Sequence, residues 1–174
     1  LVAAGPMLTA PRGYGSLFVT SPDNARKKVN RLVDMGADII KIAIEDDLQG
    51  KKWPILSEAE IQAIVEEAHK RGLPVSAHIS HSKHLEIAIN AGVDDLAHMI
   101  YNPLPDHLMK KMVEKKMVWV PTMELWNCVE TVHKNGWLKV AVANLRKYVK
   151  AGGLVAMGTD YAGYVCEFEL GMPM

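Results

Sequence analysis

The chain has 174 residues, 49% of them apolar and 23% charged, with twenty Lys and Arg balanced by twenty Asp and Glu. That composition is too apolar for disorder and sufficient for a buried core in one domain, residues 1–174. Zero net charge without a basic cluster excludes nucleic acid as the expected partner, and no run approaches the roughly 18 apolar residues of a membrane span. The first residues carry no positive segment ahead of an apolar core, so no signal peptide is expected and a cytoplasmic setting is. Cys128 and Cys166 lack metal-type spacing and are expected as free thiols.

In chain order, Leu1–Ala4 reads as a leading strand. Ser21-Pro22 is a helix start, with Ser as cap and Pro in the first turn, and Ala25, Val29, Leu32 and Val33 share one helical face. Gly36 stops that helix, and residues 38–44 read as a buried strand. Ser57 and Glu60 form a capping box ahead of Ile61, Ile64, Val65 and Ala68. After Gly72 comes a strand over 74–79. A helix over 82–91 ends at Gly92 and precedes a short strand over 95–98. A helix over 106–115 leads to a strand at 117–121. A last helix, lined by Leu138, Ala141, Val142 and Leu145, ends at Gly152-Gly153, and a strand over 154–160 follows.

Strands written as near-continuous apolar runs are buried on both faces, as in a parallel sheet covered by helices. Regular βα alternation leaves an open doubly wound sheet or a (β/α)₈ barrel. No Gly-rich phosphate loop follows any strand, which favours the barrel, although such barrels typically need about 250 residues. The expectation is an α/β partial TIM barrel with about six of the eight βα units, strands 3–8 of the barrel.

The strand ends carry the chemistry. Lys41 lies within its strand, whereas His78, His98 and Asp160 lie at the C-terminal ends of theirs, the edge where catalytic groups gather in parallel α/β proteins. Each has a bland explanation: a hydrogen-bonded histidine, an Asp cap, a Lys that snorkels. Four ionisable groups placed alike are harder to explain separately, because burying them costs several kcal/mol unless they are paired or metal-bound. Tyr14, in the Arg12-Gly13-Tyr14-Gly15 turn, and Tyr161, beside Asp160, are candidate substrate contacts. A plain turn and plain packing are their competing readings. Met123, Glu124 and Trp126 follow a strand and read as rim packing.

The strings GADIIKI, GLPVSAHIS, AGVDDLAHM, VAMGTD and FELGMPM, in that order, resemble the amidohydrolase superfamily, and within it the imidazolonepropionase and Xaa-Pro dipeptidase-like branch. The resemblance implies a (β/α)₈ barrel and metal-dependent hydrolysis of amide or dipeptide bonds in a small-molecule substrate through a metal-activated hydroxide. By position it implies that Lys41 is the lysine carboxylated on Nζ, that His78 and His98 are metal ligands, and that Asp160 is both metal ligand and proton carrier. Zn is the default metal, one or two ions, with Mn, Fe or Co as substitutes. The family's first-strand His-x-His pair has no match here, since His78, His81 and His84 are spaced by three. The resemblance therefore implies a fragment without strands 1 and 2, inactive alone. The rival expectations are a non-catalytic barrel remnant, or an oligomerising fragment whose open sheet edges pair with a second copy, and a metal-free phosphate-binding α/β protein.

Overall fold

Ser21 Oγ accepts the backbone N–H of Asn24 at 3.1 Å and starts helix α1 (Pro22–Asp34), whose Ala25, Val29 and Leu32 are buried. Ser57 and Glu60 complete the expected reciprocal cap of α2 (Glu58–Lys70). In the computed structural model, which describes residues 3–48 and 50–160, the chain divides into two compact units, Leu1–Leu96 and Ala97–Met174.

The first unit is built on four parallel strands in the order β2-β1-β3-β6: β1 (Leu8–Thr9), β2 (Leu17–Phe18), β3 (Ile40–Ala43) and β6 (Val75–His78). Between β3 and α2 lies a hairpin, β4 (Asp47–Leu48) paired antiparallel with β5 (Lys51–Lys52). Helix α3 (Ser82–Ala91) ends on Gly92 in the left-handed conformation, as the sequence predicts. The ladder fixes which side chains share a face. Ile40 pairs with Val75, Lys41 with Ser76, Ile42 with Ala77 and Ala43 with His78. Period-two alternation then sends Ile40, Ile42, Val75 and Ala77, all fully buried, to one face, and Lys41, Ser76 and His78 to the other. Between α1 and α2, Asn30 Nδ2 donates to the buried Glu67 at 2.7 Å, and Arg71 donates to Asp34 at 3.0 Å.

Strand β7 (Asp95–Ala97) straddles the boundary between the units. The second unit holds α4 (Asp106–Glu114), β8 (Val118–Val120), α5 (Met123–His133), α6 (Trp137–Lys150) and β9 (Leu154–Val155), with β8 and β9 parallel. Its core includes the fully buried Trp119 and Tyr148, whose rings meet edge to face at 5.4 Å. On α6, the buried Asn144 clamps the segment after β7: Nδ2 donates to the carbonyls of Ile100 at 2.9 Å and Asn102 at 2.8 Å, and Oδ1 accepts Leu104 N–H at 3.0 Å.

Several expectations are corrected. The leading strand is Leu8–Thr9 rather than 1–4. Leu1 and Val2 lie outside the described residues, and Ala3 is irregular, tied to Asp38 by a backbone and a side-chain hydrogen bond. The strand expected over 154–160 stops at Val155. Residues 123–133 form a helix that the sequence reading did not anticipate, and Met123, Glu124 and Trp126 lie on it. Cys128, on that helix, is disulfide-bonded and not a free thiol. No helix among the described residues is long and apolar enough to cross a membrane.

Candidate active site

In the first unit, Lys41 and His78 project from adjacent strands on the same face, two register steps apart. Lys41 Nζ donates to Ser76 Oγ at 3.0 Å. Nearby, burial holds the Asp95 carboxyl above the usual range, against the opposing effects of its Ser76 hydrogen bond and the Lys41 charge. His78 is buried. Its Nε2 lies 3.7 Å from Oε2 of Glu45, a carboxylate with no solvent exposure, which also takes the Ser80 hydroxyl and, at 3.2 Å, the Asp47 N–H. Burial pushes the Glu45 carboxyl upward, but the neighbouring His78 imidazole and the hydrogen bonds from Ser80 and the Asp47 backbone outweigh it and hold its pKa below the ordinary value.

Tyr14 covers the other side of that histidine. Its ring lies 4.4 Å from the His78 ring at 31°, and Trp53 meets it edge-on at 5.3 Å. The turn that carries it is tightly seated. A Cβ on Gly13 would come within 2.3 Å of Thr9 Oγ1 and 2.7 Å of the Pro54 carbonyl, and Gly15 has φ +146° with Thr9 at 3.0 Å. Tyr14 thus sits against His78, one of the candidate ligands.

In the second unit, His98 and Asp160 come together: Nδ1 of His98 is 3.3 Å from Asp160 Oδ2 and 3.1 Å from Thr122 Oγ1. All three residues have positive φ, 74° at His98, 49° at Asp160 and 43° at Thr122. Non-glycine residues in that region cost of order 1–3 kcal/mol each and persist where surrounding bonds over-determine them. Those bonds are visible at His98. Its N–H donates to the Val120 carbonyl at 2.9 Å, and its carbonyl accepts the indole N–H of the buried Trp119 at 2.6 Å. A cavity of about 440 Å³ in the same unit is lined by Pro121, Met123, Glu124 and residues 155–159. Tyr161 lies outside the described residues.

Sequence reasoning missed the carboxylates behind the histidines. Glu45 and Asp46 follow β3, and Asp46 faces His84 of α3, with Oδ1 3.1 Å from Nε2. The available signal was an acidic pair directly after a buried strand.

The family model described as "Amidohydrolase family" matches residues 1–173. Among curated proteins, ochratoxinase of Aspergillus niger is 28% identical, over 86% of this chain and 34% of its own length. Among solved structures, A. niger ochratoxinase is similar with a TM-score of 0.74 at 26% identity, covering 93% of this chain and 41% of that one. A Xaa-Pro dipeptidase with bound methionine in its active site gives 0.67 at 24% identity, covering 83% and 39%. The chain therefore spans well under half the length of these relatives. The expected fold class, α/β with the βα units of a partial (β/α)₈ barrel, is the one these structures share with it.

Proposed function

The chain belongs to the amidohydrolase family, and from that premise we propose that it supplies the central and C-terminal part of a single metal-dependent hydrolase domain acting on amide or dipeptide bonds. The observation that carries the reading is the meeting of His98 and Asp160 in left-handed backbone at 3.3 Å. Two residues at family ligand positions, both in a sparsely populated conformation, make a costly arrangement that a purely structural role would not need. The names of the relatives, an ochratoxinase and a Xaa-Pro dipeptidase, support a small amide or dipeptide as substrate.

The donor set suits a divalent cation. In the second unit an imidazole nitrogen and a carboxylate oxygen 3.3 Å apart have the separation expected of two ligands on one ion. In the first, Lys41 and His78 share a face, and an ammonium at Lys41 would need carboxylation before it could bind metal. Ser76, which accepts from Lys41 Nζ at 3.0 Å, lies beside that group. Lys41, His78, His98 and Asp160 are then the metal ligands. The bound metal, Zn by default, would supply Lewis acidity that acidifies water and polarises the substrate carbonyl.

The chain's own residues do the rest. Asp160, 45% exposed, is open to water and substrate, so its carboxylate can take the proton from the attacking water and return it to the leaving nitrogen. Glu45 faces His78 Nε2 and orients that imidazole, with Ser80 holding the carboxylate. Tyr14 is placed as a wall of the substrate site, and Tyr161 is assigned as a second contact on sequence position alone.

The test is metal content by mass spectrometry on chelator-washed chain re-equilibrated with Zn²⁺ and bicarbonate. Bound Zn that falls in Lys41→Ala and His98→Ala is the expected result. Zn retained unchanged in both folded variants overturns the ligand assignment. Turnover belongs to the protein carrying the remaining barrel strands, and there His98→Ala should abolish dipeptide hydrolysis.

A further inference from the structure

Glu45, Asp46 and His84 form a second cluster, separate from the four residues at family ligand positions. One donor atom from each lies within 4.8 Å of the others. Glu45 and Asp46 come from the segment after β3, and His84 from the first turns of α3. The His84 side chain is 2% exposed, and among the described residues neither of its ring nitrogens has a hydrogen bond. Asp46 Oδ1 is likewise buried without one, although it lies only 3.1 Å from His84 Nε2. The two atoms are close but do not point at each other as donor and acceptor.

Burying an imidazole and a carboxylate oxygen without hydrogen bonds costs a few kcal/mol, and a cation between them would remove that cost. Zinc–ligand bonds of about 2.0–2.2 Å place ligands of one ion roughly 3–3.6 Å apart, the spacing of the His84 and Asp46 atoms at 3.1 Å, with the Glu45 donor within 4.8 Å of both. The remaining atoms are already braced. Lys83 Nζ binds the other Asp46 oxygen at 2.7 Å, leaving Oδ1 for a cation, and Ser80 and the Asp47 N–H orient Glu45.

We propose that Glu45, Asp46 and His84 bind one divalent transition-metal cation through two carboxylates and one imidazole, with water completing the shell. Three protein ligands of this type suit Zn²⁺, Mn²⁺ or Co²⁺ and disfavour Mg²⁺, which seeks oxygen alone. Glu45 links this cluster to His78, so occupancy here would draw the carboxylate away from that histidine.

The cluster shares Glu45 with the surroundings of His78, and one experiment separates the two sites. Zn²⁺ binding to the whole chain is measured by titration and by metal content, with His98→Ala used to remove the family site. In that background one equivalent should remain, and Asp46→Asn should weaken it at least tenfold, with Mg²⁺ unable to compete. Co²⁺ substituted for Zn²⁺ should give a visible absorption band that His84→Ala removes. If His84→Ala fails to fold, Asp46→Asn, altering a part-exposed side chain, decides alone. Unchanged Zn²⁺ affinity in folded Asp46→Asn, or no Zn²⁺ bound in the His98→Ala background, overturns the proposal. Loss of metal in His98→Ala with retention in Asp46→Asn would uphold the family site and reject this one.

Discussion

His78 ends a four-residue strand and is placed by what packs on its ring: Tyr14 tilted against it at 4.4 Å and Glu45 at its Nε2 edge. His98 is placed by its main chain. Its φ of 74° is held by a carbonyl on one side and an indole N–H on the other. A histidine fixed by neighbouring side chains can be loosened by trimming those neighbours. One fixed through its backbone responds instead to changes in distant residues that grip the main chain. The difference is mechanical, and it makes the two units vulnerable in different ways.

The largest effect should come from the grip on the second unit. Asn144→Ala deletes three hydrogen bonds of a buried side chain and should cost about 3 kcal/mol in urea unfolding. A loss below about 1 kcal/mol would mean that the segment from Ile100 to Leu104 holds its own shape. Next is Trp119→Phe, which keeps much of the packing but removes the bond to the His98 carbonyl. About 2 kcal/mol is expected, with the His98 imidazole resonances broadened in NMR spectra. Sharp, unshifted signals would refute control through the main chain.

Tyr148 provides a pH test confined to the second unit. Burial raises its phenol above the ordinary value, so its neutral form is favoured by folding. The stability it contributes is complete below the ordinary pKa of about 10 and is lost as pH rises through the folded value. Tyr148→Phe should cost about 1 kcal/mol at neutral pH, through the lost bond to the Met117 carbonyl, and flatten the alkaline limb of the stability curve. An unchanged limb would assign alkaline unfolding to other groups. The smallest effect is expected in the first unit, where Tyr14→Ala removes a half-buried ring. Stability should fall by under about 1 kcal/mol, while the His78 ring gains mobility and its NMR signals shift and those of His98 do not.

Legibility in the sequence followed local chemistry. The Ser21 cap, the Ser57–Glu60 box and Gly92 act within a few residues, so α1, α2 and the end of α3 could be read directly. Helix α5 could not. It begins from Thr122 in left-handed backbone without a side-chain cap, so no start signal marks it. β1 and β2 are two residues each, too short to show a period, and β9 ends where residues 156–160 turn away to bring Asp160 toward His98. The positions of Lys41 within an apolar run and of His78, His98 and Asp160 at or near the ends of such runs were visible. Glu45, Asp46 and His84 were not, because strand and helix packing joins residues about forty apart, and each alone resembles an ordinary polar surface residue.

The turn at Gly13-Tyr14-Gly15 has a consequence for how such a protein can change over generations. Both glycines abut Thr9, and a side chain at Gly13 would collide with the Thr9 hydroxyl and two backbone carbonyls, so neither position can drift. Between them stands one residue whose ring reaches His78 and whose identity the turn itself does not dictate. Selection acting on Tyr14 alone can therefore exchange the chemical face offered to a substrate while the scaffold beneath stays fixed. Variation in related chains should concentrate at that central position and leave its two neighbours as glycine.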